Sequence, residues 1–409
     1  MTNNETKRLR WVVLGIYSFL TLMIQVQWLS FAPIAREARV VYDVSPFQID
    51  LLSLVFMLVF LPVCFPASSL IERFDLKTGV GIGAVLMSVF SLIKGLFADN
   101  YTIILIAQTG LAVAQPFFLN SSTKLAGKWF PVNERVTAVG IATLAQFAGI
   151  VLVMILTPLL FRIRPDGSDN LESILLLYGV IAVFATLLFF IVVPKDSARA
   201  NQEYEPAPPL RLIEGIRMLL RRKDVILLMI MFFIGLGQFN AISTCIDQIC
   251  EKKHFSVDQT GMTGGLMLIA GIIGALIFPV LSDYFRKRKP FLVLSMVMTT
   301  IGILGLTVSQ SYPLMLLSSF ILGFFLLGAG APVGFQYGAE IAEPVPESTT
   351  QGLVLFIGQV SGILFIIFMN LWGMIPLLVA FTALGVINIF ISLSMSESPA
   401  IHLMTPKKN

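Results

Sequence analysis

Twelve apolar stretches, each long enough to cross a hydrocarbon layer, occupy most of this 409-residue chain. A bilayer core about 30 Å thick needs roughly 20 apolar residues per helix, and a backbone in lipid must satisfy every N–H and C=O within itself. Windows of that length and apolarity point to an all-α membrane protein. They predict spans near 11–36, 47–72, 78–98, 102–127, 134–160 and 172–194, then 223–250, 259–284, 290–308, 313–341, 349–371 and 374–394.

The Lys and Arg residues between the spans alternate between dense and sparse loops. With both termini cytoplasmic, 21 of the 28 basic residues lie on the cytoplasmic side, which is the arrangement that the positive-inside rule selects. The sequence thus predicts a multi-pass protein of the cell (cytoplasmic) membrane. The densest segment carries Lys195, Arg199, Arg211, Arg217, Arg221, Arg222 and Lys223, and the next is Arg286-Lys287-Arg288-Lys289.

Charged residues make up 13% of the chain against about 25% in soluble domains, which leaves no room for a sizeable soluble domain. The chain divides into a six-helix bundle over 1–194, a linker over 195–222 and a second six-helix bundle over 223–409. The linker is expected to end in a short helix, Leu210 to Leu220, lying on the inner membrane surface with its arginines toward anionic lipid headgroups. The net charge of +4 comes from loops flanking spans, so it implies membrane lipids as partners and no nucleic acid. The first span is too long for a signal-peptide core and lacks a small-x-small exit, and is read as an uncleaved helix.

Catalytic and metal chemistry lack their usual parts. His254 and His402 are the only histidines and fall outside the spans, so no histidine metal site or triad can be assembled within the membrane. Cys245 and Cys250 are five apart, on different faces of one helix, and form no ready disulfide. No cofactor is expected. No Walker-type loop is present, so uphill transport would have to draw on an ion gradient.

The two bundles share short patterns at equivalent places. Leu144-Ala145-Gln146-Phe147-Ala148-Gly149-Ile150 in the fifth span matches Ile357-Gly358-Gln359-Val360-Ser361-Gly362-Ile363 in the eleventh. Glu72-Arg73 after the second span has its counterpart in Asp283 and the basic run after the eighth. An acid followed by basic residues there resembles the signature loop of the major facilitator superfamily, with Ser68 and Pro279 where that superfamily usually has Gly. Parallel six-helix repeats imply a substrate site near the bilayer midplane between the halves.

Strongly polar side chains within the spans are few, and a charge there costs roughly 2.5–3.5 kcal/mol on insertion scales. Gln146 and Gln359 lie near mid-membrane, where they could face one cavity or could simply bond neighbouring helices. Gln25 and Trp28 share a face of the first span; Trp28 lies deeper than interfacial tryptophans do, so it is either packing or a ring face for a cation. Asn240, Thr244 and Asp247 fall at i, i+4, i+7 and form one polar stripe of the seventh span. Asp247 could titrate during transport or pair with Arg36 or Lys94 near the outer surface, and Asp50 is a second proton-coupling candidate or a first-turn acid. Gln336, Tyr337 and Glu340 end the tenth span, followed by Glu343 and Glu347, and Glu340 could gate the inner side by pairing with Lys124 or Lys128.

Several stretches are similar to one family: Trp28-Leu29-Ser30-Phe31-Ala32-Pro33-Ile34-Ala35, Ile49-Asp50-Leu51-Leu52-Ser53-Leu54-Val55-Phe56, Gln115-Pro116-Phe117-Phe118-Leu119-Asn120 and Lys124-Leu125-Ala126-Gly127-Lys128-Trp129-Phe130-Pro131. With Phe239-Asn240-Ala241-Ile242-Ser243-Thr244 and Tyr337-Gly338-Ala339-Glu340-Ile341, they resemble the feline leukaemia virus subgroup C receptor-related transporters through most of the chain. The resemblance implies a major facilitator fold and a cargo of the choline, ethanolamine, haem or pyridoxine kind. It also implies a choline-type site of a first-span Trp, a seventh-span aromatic and glutamines on the fifth and eleventh spans, which Trp28, Gln146 and Gln359 match. Asn240 falls where the second aromatic would stand, and Asp247 where the choline carriers have an amide.

The expected function is a secondary transporter for a small polar or cationic solute, with Gln25, Trp28, Gln146, Asn240 and Gln359 at the site and protons or sodium as candidate coupling ions. Two alternatives are a proton-linked exporter of varied amphipathic compounds and a non-transporting membrane receptor. An enzyme is not expected.

Overall fold

The computed structural model describes residues 3–74, 76–130, 132–162, 169–194, 217–342, 345 and 347–398. Among them twelve helices are long and apolar enough to cross a membrane. Six lie in the first half of the chain: Arg8–Tyr42, Pro46–Ile71, Leu76–Leu96, Tyr101–Leu119, Ala138–Leu160 and Leu171–Val192. The other six are Lys223–Thr244, Val257–Phe285, Lys289–Val308, Tyr312–Ala342, Gly352–Trp372 and Met374–Ser394. Contacts divide the chain into two compact units, Met1–Pro206 and Ala207–Asn409. Residues 195–216, most of the expected linker and its surface helix, lie outside the described residues, as does Glu343; of Glu347 only the backbone is described.

Four spans are not the continuous rods that hydropathy suggests: the fourth, expected over 102–127, ends at Leu119, and a separate helix runs Ser122–Trp129. The first is helical to Trp28, turns through Leu29 to Phe31, makes a short 3-10 turn at Ala32–Ile34 and resumes as Ala35–Tyr42. Pro33 explains the interruption, because it lacks an N–H and its ring would strike the carbonyl four residues earlier. The seventh ends at Thr244, and after Cys245 a separate helix runs Ile246–Glu251. The Ser243 and Thr244 hydroxyls beside the break are buried without a hydrogen-bond partner among the described residues and do not account for it. In the tenth, Gly323–Gly330 is π-helical between Tyr312–Leu322 and Ala331–Ala342. Pro332 leaves the carbonyl of Gly328 without its usual donor, and a widened turn absorbs the strain.

That widened segment lies directly against the eighth span. A Cβ on Gly323 would fall 1.7 Å from the Met267 carbonyl oxygen, and one on Gly328 would fall 2.5 Å from the Gly274 Cα. Small residues let two helix backbones touch, the usual substitute for a hydrophobic driving force in lipid.

Each half turns its leading corner in the same way. Asp43 adopts a left-handed conformation (φ 51°) and Ser45 then opens the second span with a capping box to Gln48. In the second half His254 is left-handed (φ 62°) and Ser256 opens the eighth span with a capping box to Gln259. Both pairs are 211 residues apart in the chain. In each box the serine oxygen accepts the N3 backbone N–H while the glutamine oxygen accepts the cap's own N–H, so two otherwise orphaned donors are satisfied.

Candidate functional site

In the first half the candidate residues cluster around the break in the first span. Trp28 is buried, and its indole Nε1 donates to the Ser53 carbonyl oxygen of the second span at 3.1 Å. The Ser53 hydroxyl returns a weak bond to the Trp28 carbonyl at 3.5 Å. Gln25, one turn earlier, is buried with an unpartnered Oε1. Against this face lies the fifth span: a Cβ on Gly149 would come within 2.3 Å of the Leu22 carbonyl oxygen and 3.1 Å of the Gln25 Cβ. Gln146, one turn before Gly149, is half-buried. The first half thus brings Trp28, Gln25 and Gln146 onto one packed pair of helices.

The second half repeats this pairing with its own chemistry. Asn240 on the seventh span is buried, and its Nδ2 donates to the Gly358 carbonyl of the eleventh span at 3.3 Å. Gly358 immediately precedes Gln359, which is half-buried. The contact is close because a Cβ on Gly237 would meet the Ser361 Oγ at 2.6 Å. Asn240 therefore spends its amide donor on the neighbouring backbone and keeps its Oδ1 for other partners.

The expected polar stripe of the seventh span needs correction. Asn240 and Thr244 belong to one helix, but Asp247 lies beyond the interruption at Cys245, in the helix Ile246–Glu251. The i, i+4, i+7 spacing assumed one continuous helix, and the helix is interrupted at Cys245. Asp247 is fully buried, and its Oδ1 accepts from the Thr260 hydroxyl of the eighth span at 3.3 Å. Asp50, in the first turns of the second span, is also buried.

Lys94 is not at a surface. It is fully buried near the end of the third span, and its Nζ donates to the Gln27 carbonyl at 3.2 Å and the Ser30 Oγ at 3.0 Å. The Phe31 ring lies 5.8 Å away. Sequence reasoning set Lys94 at the outer edge because it is near the end of an apolar window. A lone Lys in an otherwise apolar span was the signal for a buried role.

Among the described residues, each of the two gating candidates has partners within its own half. Lys124 donates to the Ile71 carbonyl and, at 3.0 Å, to the Phe74 carbonyl, so it covers the C-terminal end of the second span. A cation there complements the helix dipole and the orphaned carbonyls. Glu340 instead pairs with Arg288 at 2.9 Å, in a cluster that sequence reasoning missed. Arg288 also reaches Asp283 at 2.5 Å and the Ser282 Oγ at 2.8 Å. Burial pulls the Arg288 guanidinium down, but hydrogen bonds and charges from Glu340 and Asp283 outweigh it and hold the group above its ordinary value. The segment after the twelfth span closes the cluster. The Ser398 hydroxyl donates to Glu340, and Glu397 Oε1 accepts from the backbone N–H groups of Arg288 (2.8 Å) and Lys289 (3.1 Å). The Tyr337 hydroxyl donates to the Ser396 carbonyl at 2.9 Å.

A small cavity among the seventh, ninth and tenth spans is apolar, lined by Met231, Phe232, Met296 and Leu326 among others, and includes none of the candidate residues. Among the described residues no group of three or more His, Cys, Asp or Glu could hold a metal ion.

Comparison with known proteins gives this geometry a lineage. The family model described as Major Facilitator Superfamily matches residues 13–366 and 246–401. The chain is 28% identical over 383 residues to the choline/ethanolamine transporter flvcr2a of Danio rerio, covering 90% of this chain and 81% of that protein. It is 30% identical over 384 residues to solute carrier family 49 member A3 of Xenopus tropicalis, covering 89% and 78%. In fold it is similar to the inward-facing, unoccupied bacterial homologue of the human lysosomal transporter Spinster, with a TM-score of 0.77, 13% identity and coverage of 94% of this chain and 96% of that one. Twelve spans in two units, a match across most of the chain and relatives that are carriers place it with transporters and not enzymes: the chain is a multi-pass membrane protein of the Major Facilitator Superfamily and belongs to its feline leukaemia virus subgroup C receptor-related branch.

Proposed function

We propose that this protein carries a small organic amine of the choline or ethanolamine type across the cell membrane, alternating access between the two sides, with both termini cytoplasmic. We assign Trp28, Gln25 and Gln146 of the first half and Asn240 and Gln359 of the second to substrate contact. The observation that carries this reading is the environment of Trp28, whose indole N–H is already engaged by Ser53. A ring held by its edge keeps a π face for a cation, an attraction worth up to about 2 kcal/mol when desolvated. The half-buried amides of Gln146 and Gln359 supply the acceptors and donors that a hydroxyl or primary amine needs.

Support for the cargo class comes from the relatives named as choline/ethanolamine transporters. Asn240 replaces an aromatic wall with a polar one, which favours a substrate with hydrogen-bonding capacity at that end. We assign proton coupling to Asp247, a fully buried carboxylate beside the interruption of the seventh span, with Asp50 as a second coupling group. Lys124 and Glu340 brace the ends of their own halves, and their clusters are where gating contacts would be remade. The test is uptake of labelled choline and ethanolamine into proteoliposomes, with and without an imposed proton gradient, for wild type and Trp28→Ala. Saturable uptake lost in a folded Trp28→Ala variant supports the site; absence of uptake of both amines in wild type overturns the cargo class.

A further inference from the structure

Lys94 contacts none of the residues assigned to substrate, yet every bond it makes falls on the residues flanking Trp28. We propose that Lys94 is a positioning residue for substrate binding, pinning the break in the first span so that the Trp28 ring holds its place. This rests on the reading of Trp28 as a substrate contact.

The chemistry of the break requires such a group. A helix that ends inside a bundle leaves its last carbonyls without intrahelical donors, and in lipid-facing protein water does not replace them. The first helix ends at Trp28. The Gln25 carbonyl is met by the Leu29 N–H at 3.3 Å, while the Gln27 carbonyl is met by the Ser30 hydroxyl at 3.2 Å and by Lys94 at 3.2 Å. Lys94 also donates to the Ser30 Oγ at 3.0 Å. Gln27 O, Ser30 Oγ and Lys94 Nζ thus form a closed triangle around Trp28 and Leu29. A cation is the preferred donor at a helix C-terminus because it also meets the negative end of the dipole.

Trp28 is held from its other side by Ser53 of the second span, through the indole N–H and the main-chain carbonyl. The residue is therefore fixed between two foreign helices, Lys94 on the third and Ser53 on the second. An apolar side chain could fill the volume of Lys94, but it could not bond a carbonyl that the break has freed. Without that bond the turn Leu29–Phe31 loses its tie to the third span, and Trp28 is left held through Ser53 alone.

The experiment uses Trp11→Phe, Trp129→Phe and Trp372→Phe to leave Trp28 as the sole tryptophan of the four, with Lys94→Met and Ser30→Ala introduced separately. Labelled choline uptake gives KM and maximal rate, and acrylamide quenching reports on Trp28 with no substrate present. Lys94→Met is expected to raise KM about five-fold with a maximal rate within about two-fold, as for a group that acts on binding. Quenching of Trp28 should rise in Lys94→Met and, less, in Ser30→Ala. An unchanged KM in a monodisperse Lys94→Met protein, or unchanged quenching of Trp28 in monodisperse Lys94→Met or Ser30→Ala, overturns the proposal. Wild type that moves no choline defeats the cargo reading alone, and the quenching arm still decides the role of Lys94; where Lys94→Met does not fold, Ser30→Ala carries the test.

Discussion

Replacing Gly149 with Ala adds one methyl group at a point where the structure has no space for it. The new Cβ would lie 2.3 Å from the Leu22 carbonyl oxygen and 3.1 Å from the Gln25 Cβ. The first of these is backbone, so rotamer changes cannot relieve it, and the fifth span must retreat by about 1 Å in an interior packed as densely as a crystal. Overpacking of this kind costs about 1–3 kcal/mol. Gly140 provides the control on the same helix, because a Cβ there meets nothing within 4 Å. Gly140→Ala should gain up to about 1 kcal/mol from helix propensity alone. The propensity gain is common to both variants, so they should differ by the overpacking cost of about 1–3 kcal/mol, or roughly 2–12 °C in apparent melting temperature for a body of this size. Circular dichroism of the purified protein in detergent gives the melting temperatures, and choline uptake gives KM, which should rise in Gly149→Ala as Gln146 is carried away from Gln25. A Gly149→Ala protein that melts at or above Gly140→Ala would refute the packing of the first span on the fifth.

Other outcomes follow from separate features. Arg288→Met should destabilise by about 3–5 kcal/mol, because Glu340 is left charged with 10% of its side chain exposed, and Arg288→Met with Glu340→Met should recover most of the loss; thermal unfolding of the cycle checks this. Ser45→Ala and Ser256→Ala should each cost about 1 kcal/mol as lost caps, measurable as similar falls in melting temperature, and a large cost in only one half would contradict the shared corner geometry. Asp247→Asn should abolish gradient-driven accumulation of choline while leaving exchange of labelled for unlabelled choline intact; loss of both would assign Asp247 to binding instead of coupling.

Much of the architecture was legible because lipid enforces simple rules. Residue length and apolarity located all twelve spans, and the Gln-containing repeat at 144–150 and 357–363 announced two related halves. The interruptions were not legible, since a hydropathy window averages over Pro33 and Cys245 and sees the apolar residues that follow as more helix. The register error at Asp247 descends from that blindness. Lys94 was misplaced for the opposite reason: proximity to a span end suggested water, whereas the break in the first span provided buried carbonyls for it to bond. Arg288 and Glu340 are 52 residues apart, and no local pattern pairs them. The capping boxes were readable as Ser-x-x-Gln, but the left-handed residues before them, Asp43 and His254, share no side-chain chemistry.

The Arg288 cluster has a consequence for the order in which the second half matures. Glu397 is synthesised 109 residues after Arg288, whose backbone N–H it accepts. At a translation rate of about 5–20 residues per second, Arg288 and its neighbours wait on the order of ten seconds before that partner exists. During that interval the ninth to twelfth spans are made, while Arg288 still lacks the segment that seals its cluster. Vectorial synthesis therefore makes the closing of this half a late, discrete event, timed by the emergence of Ser396 to Ser398 from the ribosome.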